Sequence, residues 1–389
     1  MILLDKPFVS DFFLDTIKKN GFSVVKTPNS STWISDDDAV VISPEEAAQR
    51  RKVNREPVYT NSENSIGWIE RNAGFSYLTE KIKLFKNKVA FRELLQEQYP
   101  GYFFRPVTLA ELHQLDVSGF PFPFIIKPAV GFFSMGVYKV NRLEEWPETL
   151  KKMEAEIKRN RNLYPEEVYS ESEFIVEEVI EGDEFAIDCY INDNKEAVIL
   201  NIMKHIFSSG DDVGDRLYFT SAEIMQHYLE PATRFLENLA KLADLKQFPM
   251  HVELRFDASG NAMPIEVNPM RFGGWCSTPD FAWYAYGINV YEHYFHQQKP
   301  DWERILKMDD GKTHCIIVLD NSTGYPVEKI ESFDYEKLMS TFQTVWDLRK
   351  VNHKEYPLFG MLFVASESED SEEVSNIRHS DLKEFIITR

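Results

Sequence analysis

The chain opens with short apolar runs placed around a helical repeat. Residues 1–4 form an apolar run of strand length, and Phe12, Phe13 and Ile17 then fall on one helical face. Gly21 stands where that helix would stop, and residues 22–25 form a second apolar run. Strand, helix, strand predicts the start of a parallel sheet. No G-x-G-x-x-G accompanies it, so a dinucleotide site has no support. Residues 36–64 are polar and poorly periodic, and loop with helix fragments is expected there.

Ile82, Phe85, Val89, Leu94 and Leu95 predict a helical stretch closed by Tyr99-Pro100-Gly101. Residues 122–140 set apolar runs around a glycine-containing loop, and 144–161 read as a charged helix with a solvated face. Thr220 and Glu223 have capping-box spacing, and Pro231 is expected to open a second helix carrying Phe235, Leu236, Leu239 and Leu242. Beyond residue 300 the pattern changes. Strands at 313–319 and 358–365 flank a helix near 335–342, followed by an acidic loop and a final helix at 381–386. No chemistry stands out in that last part.

The length of 389 residues supports two to three domains and a core that needs no staples. A net charge of −20 repels phosphate backbones and anionic lipid, so no nucleic-acid or membrane partner is expected. Cys189, Cys276 and Cys315 are scattered without a CxxC, which suits a reducing compartment. The apolar start is too short for a signal peptide, and no run approaches the ~20 residues of a membrane span. A cytoplasmic location is expected.

Three segments carry chemistry. In the first, an apolar strand ends in Lys127-Pro128, and a loop with Gly131, Ser134 and Gly136 leads into the next strand. Glycines let backbone N–H groups close on an anion, and the lysine adds a point charge suited to phosphate. An exposed hairpin is the plainer alternative. In the second, residues 174–176 run into Glu177-Glu178-Val179-Ile180, then Gly182 and Glu184. Backbone groups here suit a purine edge and a carboxylate suits ribose hydroxyls, though a plain acidic turn fits as well. In the third, His251, Glu253 and Arg255 alternate along one strand and Glu266 and Asn268 along the next, with residues 257–261 as the reversal. Hard oxygen ligands gathered in this way suit Mg²⁺. Asn268-Pro269-Met270-Arg271-Phe272-Gly273-Gly274 then places a cation beside them.

In chain order these motifs resemble the ATP-grasp superfamily over about residues 80 to 280. The resemblance implies an α/β, overall α+β, architecture: a pre-ATP-grasp βαβ domain with a linker helix (1–105), a lid (106–176), a metal-binding catalytic part (177–300) and a small α+β extension (301–389). It implies ATP contacts at Lys88, Lys127, Gly131, Ser134, Gly136, Glu177, Glu178, Val179, Ile180 and Glu184. Lys88 and Lys127 hold phosphates, the backbone of Glu178 and Ile180 reads adenine, and Glu184 holds ribose. Asn87 replaces the family's usual aspartate before Lys88, which leaves Lys86 as a rival. Glu253, Glu266 and Asn268 correspond to the ligands of Mg²⁺ or Mn²⁺. Arg271 corresponds to the arginine that stabilises an acyl phosphate, and Lys127, Arg271 and His251 are the candidate catalytic residues. Two departures stand out. Met270 is inserted before Arg271, and His251 occupies the place of an arginine in the D-alanine–D-alanine ligase branch.

The implied activity is ATP-dependent joining of a small-molecule carboxylate to an amine through an acyl phosphate. Carboxylation, phosphoryl transfer and a non-catalytic ATP-binding module are the alternatives, and a homo-oligomer is left open. Cys276 and His205 are further candidates, for which packing and a surface loop are the plainer readings.

Overall fold

The computed structural model describes residues 1–131, 136–160, 170–207, 216–321 and 323–388. Strands β1 (Ile2–Leu3), β2 (Val24–Val25), β3 (Val41–Ile42) and β4 (Tyr59–Thr60) form a parallel sheet in the order β3-β2-β1-β4. The first helix, Asp11–Asn20, begins at Ser10, whose hydroxyl accepts from Phe13 N, and ends at Gly21 with φ 64°. Residues 36–64 depart from the expected loop and helix fragments. They supply β3, the helix Pro44–Asn54 and β4. Two-residue strands are too short to show a period of two in sequence.

The helical stretch before Tyr99 is two helices, Tyr77–Lys86 and Lys88–Leu95, broken at Asn87. The Asn87 side chain accepts from Val89 N and Ala90 N, which caps the second helix and puts Lys88 at its start. Strands β5 (Phe104–Thr108), β6 (Phe124–Val130), β7 (Tyr138–Val140) and β8 (Ser170–Glu178) then make an antiparallel sheet, order β5-β8-β6-β7. Val107, Phe124, Ile126, Trp146, Phe174 and Val176 pack between this sheet and the helix Trp146–Asn160.

The remaining strands are β9 (Asp183–Ile191), β10 (Ala197–Ile206), β11 (Leu217–Thr220), β12 (Phe248–Phe256), β13 (Ala262–Pro269), β14 (Thr313–Asp320), β15 (Ile330–Phe333), β16 (Thr344–Lys350), β17 (Leu358–Ser366) and β18 (Ile386–Thr388). Eight of them form one antiparallel sheet in the order β13-β12-β9-β10-β11-β14-β17-β16. Strands β14, β16 and β17, all after residue 300, therefore continue the sheet that bears the candidate metal ligands, while β15 and β18 pair apart from it. Residues 381–386 are not the expected helix. A single 3₁₀ turn, Lys383–Phe385, runs into β18, which pairs with β15.

One long helix, Ala222–Leu242, packs against β10. Its cap is Ser221, which accepts from Ile224 N, while Thr220 lies on β11 and donates to Ile202 O at 2.7 Å. Pro231 sits inside this helix instead of opening a new one. A proline in a helix interior removes a donor and costs about 3 kcal/mol. The continuous buried face of Met225, Ala232, Phe235, Leu236 and Leu239 outweighs that cost. Among the described residues no helix is long and apolar enough to cross a membrane.

Candidate active site

β12 and β13 pair so that Glu253 stands opposite Glu266 and His251 opposite Asn268. The register slips between Glu253 and Leu254, where Leu254 faces Pro264. A proline, lacking an N–H, fits such an irregularity. Asn268 Nδ2 donates to Glu266 Oε1 at 3.1 Å, and Lys88 Nζ lies 3.0 Å from Glu266 Oε2. Burial alone would raise the Glu266 carboxyl. Lys88, Lys127 and Lys86 instead hold it well below the usual carboxylate range. Two opposed carboxylates and an amide form an all-oxygen donor set, kept ionised by three lysines, and that set fits a hard divalent cation such as Mg²⁺ or Mn²⁺.

Lys127 lies on β6 and Glu177 on β8, and Nζ meets Oε1 at 2.6 Å. The other Glu177 oxygen takes Arg92 Nε at 2.7 Å. Burial pushes Glu177 up, but Arg92 and Lys127 bring it down to about 2. Arg92 also donates to Pro264 O at 2.6 Å and Ile265 O at 3.3 Å. It therefore fastens β8 to the irregular point of β13. Lys88 Nζ donates to Gly131 O at 3.4 Å, and Gly136 has φ 69°. Ser134 lies outside the described residues.

Between β8 and β9 the backbone groups expected to read adenine are already engaged. Tyr102 donates its hydroxyl to Glu178 O at 3.0 Å, and Phe103 N donates to Glu178 Oε1 at 3.1 Å. Val179 N donates to Pro123 O at 3.4 Å, and Ile180 O accepts from Arg255 Nη1 at 2.6 Å. Gly182 has φ 110°, and a Cβ there would meet Phe256 O at 2.1 Å, so glycine is required. Glu184 accepts from Arg255 Nε and Nη2 at 3.1 and 3.0 Å, with His205 Nδ1 at 3.0 Å on its other oxygen. Burial raises this carboxyl, but His205 and then Arg255 lower it below its ordinary value. The His205 ring stacks on Tyr218 at 4.4 Å.

Met270 has φ 67° and is fully buried, and its N–H donates to Pro249 O at 2.8 Å. The extra residue is thus absorbed as a left-handed step with its side chain in the core. Arg271 then turns to Glu63, with Nη2 at 2.9 Å and Nε at 3.1 Å. The second Glu63 oxygen takes Lys86 Nζ at 2.5 Å. Burial would raise Glu63, but Lys86 and Arg271 bring it to about 2. On β12, His251 Nδ1 lies 2.7 Å from Asp188 Oδ1, and Nε2 lies 3.8 Å from Glu253 Oε1. Asp188 is fully buried and also accepts from Gly273 N at 2.9 Å and from the Thr278 hydroxyl.

A family model described as the ATP-grasp domain matches residues 120–279. Residues 120–279 are an ATP-grasp domain. Comparison with curated proteins finds no match. The fold resembles that of an L-amino acid ligase from Bacillus licheniformis, with TM-score 0.69, 18% identity, and 100% of this chain and 98% of that chain covered. It also resembles a biotin carboxylase from Campylobacter jejuni, with TM-score 0.63, 13% identity, and 94% and 87% covered. A third likeness is to N5-carboxyaminoimidazole ribonucleotide synthetase from Thermotoga maritima, with TM-score 0.61, 13% identity, and 94% and 93% covered. At these identities the likeness is one of fold.

The fold thus brings Lys88, Lys127, Glu266 and Asn268 to one place, with Glu253 across the strand pair. Glu184 lies apart, on β9 beside Arg255 and His205. Sequence reading missed Arg92, Asp188 and Glu63. Arg92 stands one helical turn after Lys88, and Asp188 is the lone charge in the apolar run from Phe185 to Ile191, so both carried a signal. Glu63, in an aperiodic stretch, carried none.

Proposed function

We propose that this protein is an ATP-grasp ligase that joins a carboxylate to an amine at the expense of ATP. The observation that carries the reading is the ring of cations around paired carboxylates. Lys88, Lys127 and Lys86 act on Glu266, and Lys86 shares Glu63 with Arg271.

Lys88 and Lys127 would neutralise the phosphates, and the hinge from Glu178 to Ile180 would seat adenine. Glu253, Glu266 and Asn268 would hold Mg²⁺, or Mn²⁺, which supplies charge neutralisation for the phosphates when bound. A substrate carboxylate oxygen would attack the γ-phosphorus, ADP would leave, and an acyl phosphate would form. The amine would then attack the carbonyl carbon, with phosphate leaving and the amide forming. Arg271 would stabilise the charge that develops on the acyl phosphate. His251, opposite Asn268 across the strand pair, would have its ring orientation fixed by Asp188.

Amino acids are the first carboxylates and amines to test, because the first structural likeness is an enzyme described as an L-amino acid ligase. The test is ADP release across amino acids with Mg·ATP, repeated with hydroxylamine. A hydroxamate of the stimulating substrate is expected. ADP release with substrate but without hydroxamate would favour phosphoryl transfer instead.

A further inference from the structure

His314 lies far from this chemistry. It is the second residue of β14, which β9, β10 and β11 separate from β12. It is 2% exposed, and neither ring nitrogen has a hydrogen-bond partner. An imidazole with both nitrogens orphaned in the interior loses the hydrogen bonds it would make with water, and such a group calls for an explanation. The ring stacks on Trp346 at 4.8 Å and stands edge-on to Tyr286 at 6.1 Å, which fixes where it points.

Nε2 points toward the turn just before its own strand. Asp310 Oδ1 stands 3.8 Å away, beyond hydrogen-bond reach. One ligating atom each from Asp309, Asp310 and His314 lies within 4.8 Å of the others. The carboxylates are pre-set by the turn. Gly311 N donates to Asp309 Oδ2 at 2.9 Å and Lys312 N to Asp310 Oδ1 at 3.0 Å, with Gly311 at φ 76°. Tetrahedral zinc with bonds of 2.0–2.2 Å sets its ligand atoms roughly 3.4 Å apart, so a small side-chain adjustment closes the site.

We propose that Asp309, Asp310 and His314 bind a divalent ion of the zinc or cobalt type, with water completing the coordination, and so clip the turn onto β14. One imidazole with two carboxylates suits such borderline ions better than Mg²⁺, which prefers oxygen alone. The site is independent of the ligase reading, and its test needs no substrate.

The test uses tag-free, metal-stripped full chain dialysed against micromolar zinc, with millimolar Mg²⁺ and ADP present to occupy the ATP site. Bound zinc is counted by mass spectrometry. One equivalent is expected, with a rise in melting temperature. His314→Gln and Asp309→Asn/Asp310→Asn should each lose both the zinc and the rise. The double variant leaves the buried ring in place, so it reads the site even if His314→Gln fails to fold. No bound zinc in the wild type, or zinc retained by the double variant, would overturn the proposal.

Discussion

Arg271 grips Glu63 through two guanidinium nitrogens, at 2.9 and 3.1 Å, and Glu63 holds Lys86 with its other oxygen. The carboxylate follows β4, so the N-terminal sheet contributes directly to the candidate site. Two cations share one carboxylate, which leaves an excess of positive charge beside Glu266. An incoming anionic group therefore meets an arginine already extended and oriented, and needs only to compete with Glu63 for it.

Glu63 and Glu177 should make the fold acid-sensitive. Each has a folded pKa of about 2 against an ordinary value of 4.5. A depressed pKa contributes stability that is fully present above the unfolded value and lost as pH falls through the folded one. The window is therefore about pH 4.5 down to about pH 2. Each shift corresponds to stability on the order of 3 kcal/mol. Urea unfolding of the wild type should weaken steeply across that window. Glu63→Gln should be less stable at neutral pH and show a shallower acid dependence. An unchanged slope in that variant would count against the coupling.

Glu266→Gln removes one of the two facing carboxylates and the partner of Lys88. Mg²⁺-dependent ATP turnover should vanish while circular dichroism stays that of the wild type. Isothermal titration with Mg²⁺ and an ATP analogue should show weakened metal-dependent binding. Full turnover in the variant would remove Glu266 from the metal site.

The pairing of Glu253 with Glu266 was legible because both strands alternate cleanly and Asp257 to Asn261 supplies a tight reversal. Asp257 Oδ1 accepts from Ser259 N and Asn261 N there, which is the turn chemistry the residues suggest. Strands β6 and β8 were legible from their apolar runs. Other features were not. β3 and β4 are two residues long, and their pairing is set by distant neighbours. The helix Ala222–Leu242 ignores Pro231 because packing decides over local preference. That β14, β16 and β17 extend the central sheet depends on pairing across about a hundred residues, such as Leu217 on β11 opposite Ile317 on β14. Local pattern holds no record of them.

Gly273 joins the Arg271 segment to Asp188, and it has no room for a side chain. A Cβ there would lie 2.0 Å from Thr278 Oγ1. Gly273→Ala should therefore cost stability on the scale of core overpacking, about 1–3 kcal/mol. Thr278→Ala removes the two nearest clashing atoms, Oγ1 and Cγ2, together with a hydrogen bond to Asp188, and leaves only Cβ, at 2.8 Å. The double variant should be more stable than the sum of the two single changes predicts. Additive losses in thermal unfolding would show that the clash is relieved in some other way.

Arg271→Ala separates binding from chemistry. Adenine and phosphates are assigned to the hinge, Lys88 and Lys127, so ATP affinity should change little. The arginine is assigned to the charge that develops on the acyl phosphate, so turnover should fall by roughly 10²–10³-fold, the scale for losing one stabilising donor. Arg271→Lys keeps the charge but loses the two-nitrogen fork, and should recover only part of the rate. Glu63 gives an internal control, because it is the group that holds Arg271 without substrate. If Glu63 competes with the substrate carboxylate, Glu63→Gln should lower the KM for that carboxylate, and the effect should disappear in the Arg271→Ala background. An equal KM change in both backgrounds would mean that Glu63 acts through Lys86 or through the fold. Turnover unaffected by Arg271→Ala would remove this arginine from the chemistry and leave the three lysines as the cations that carry it.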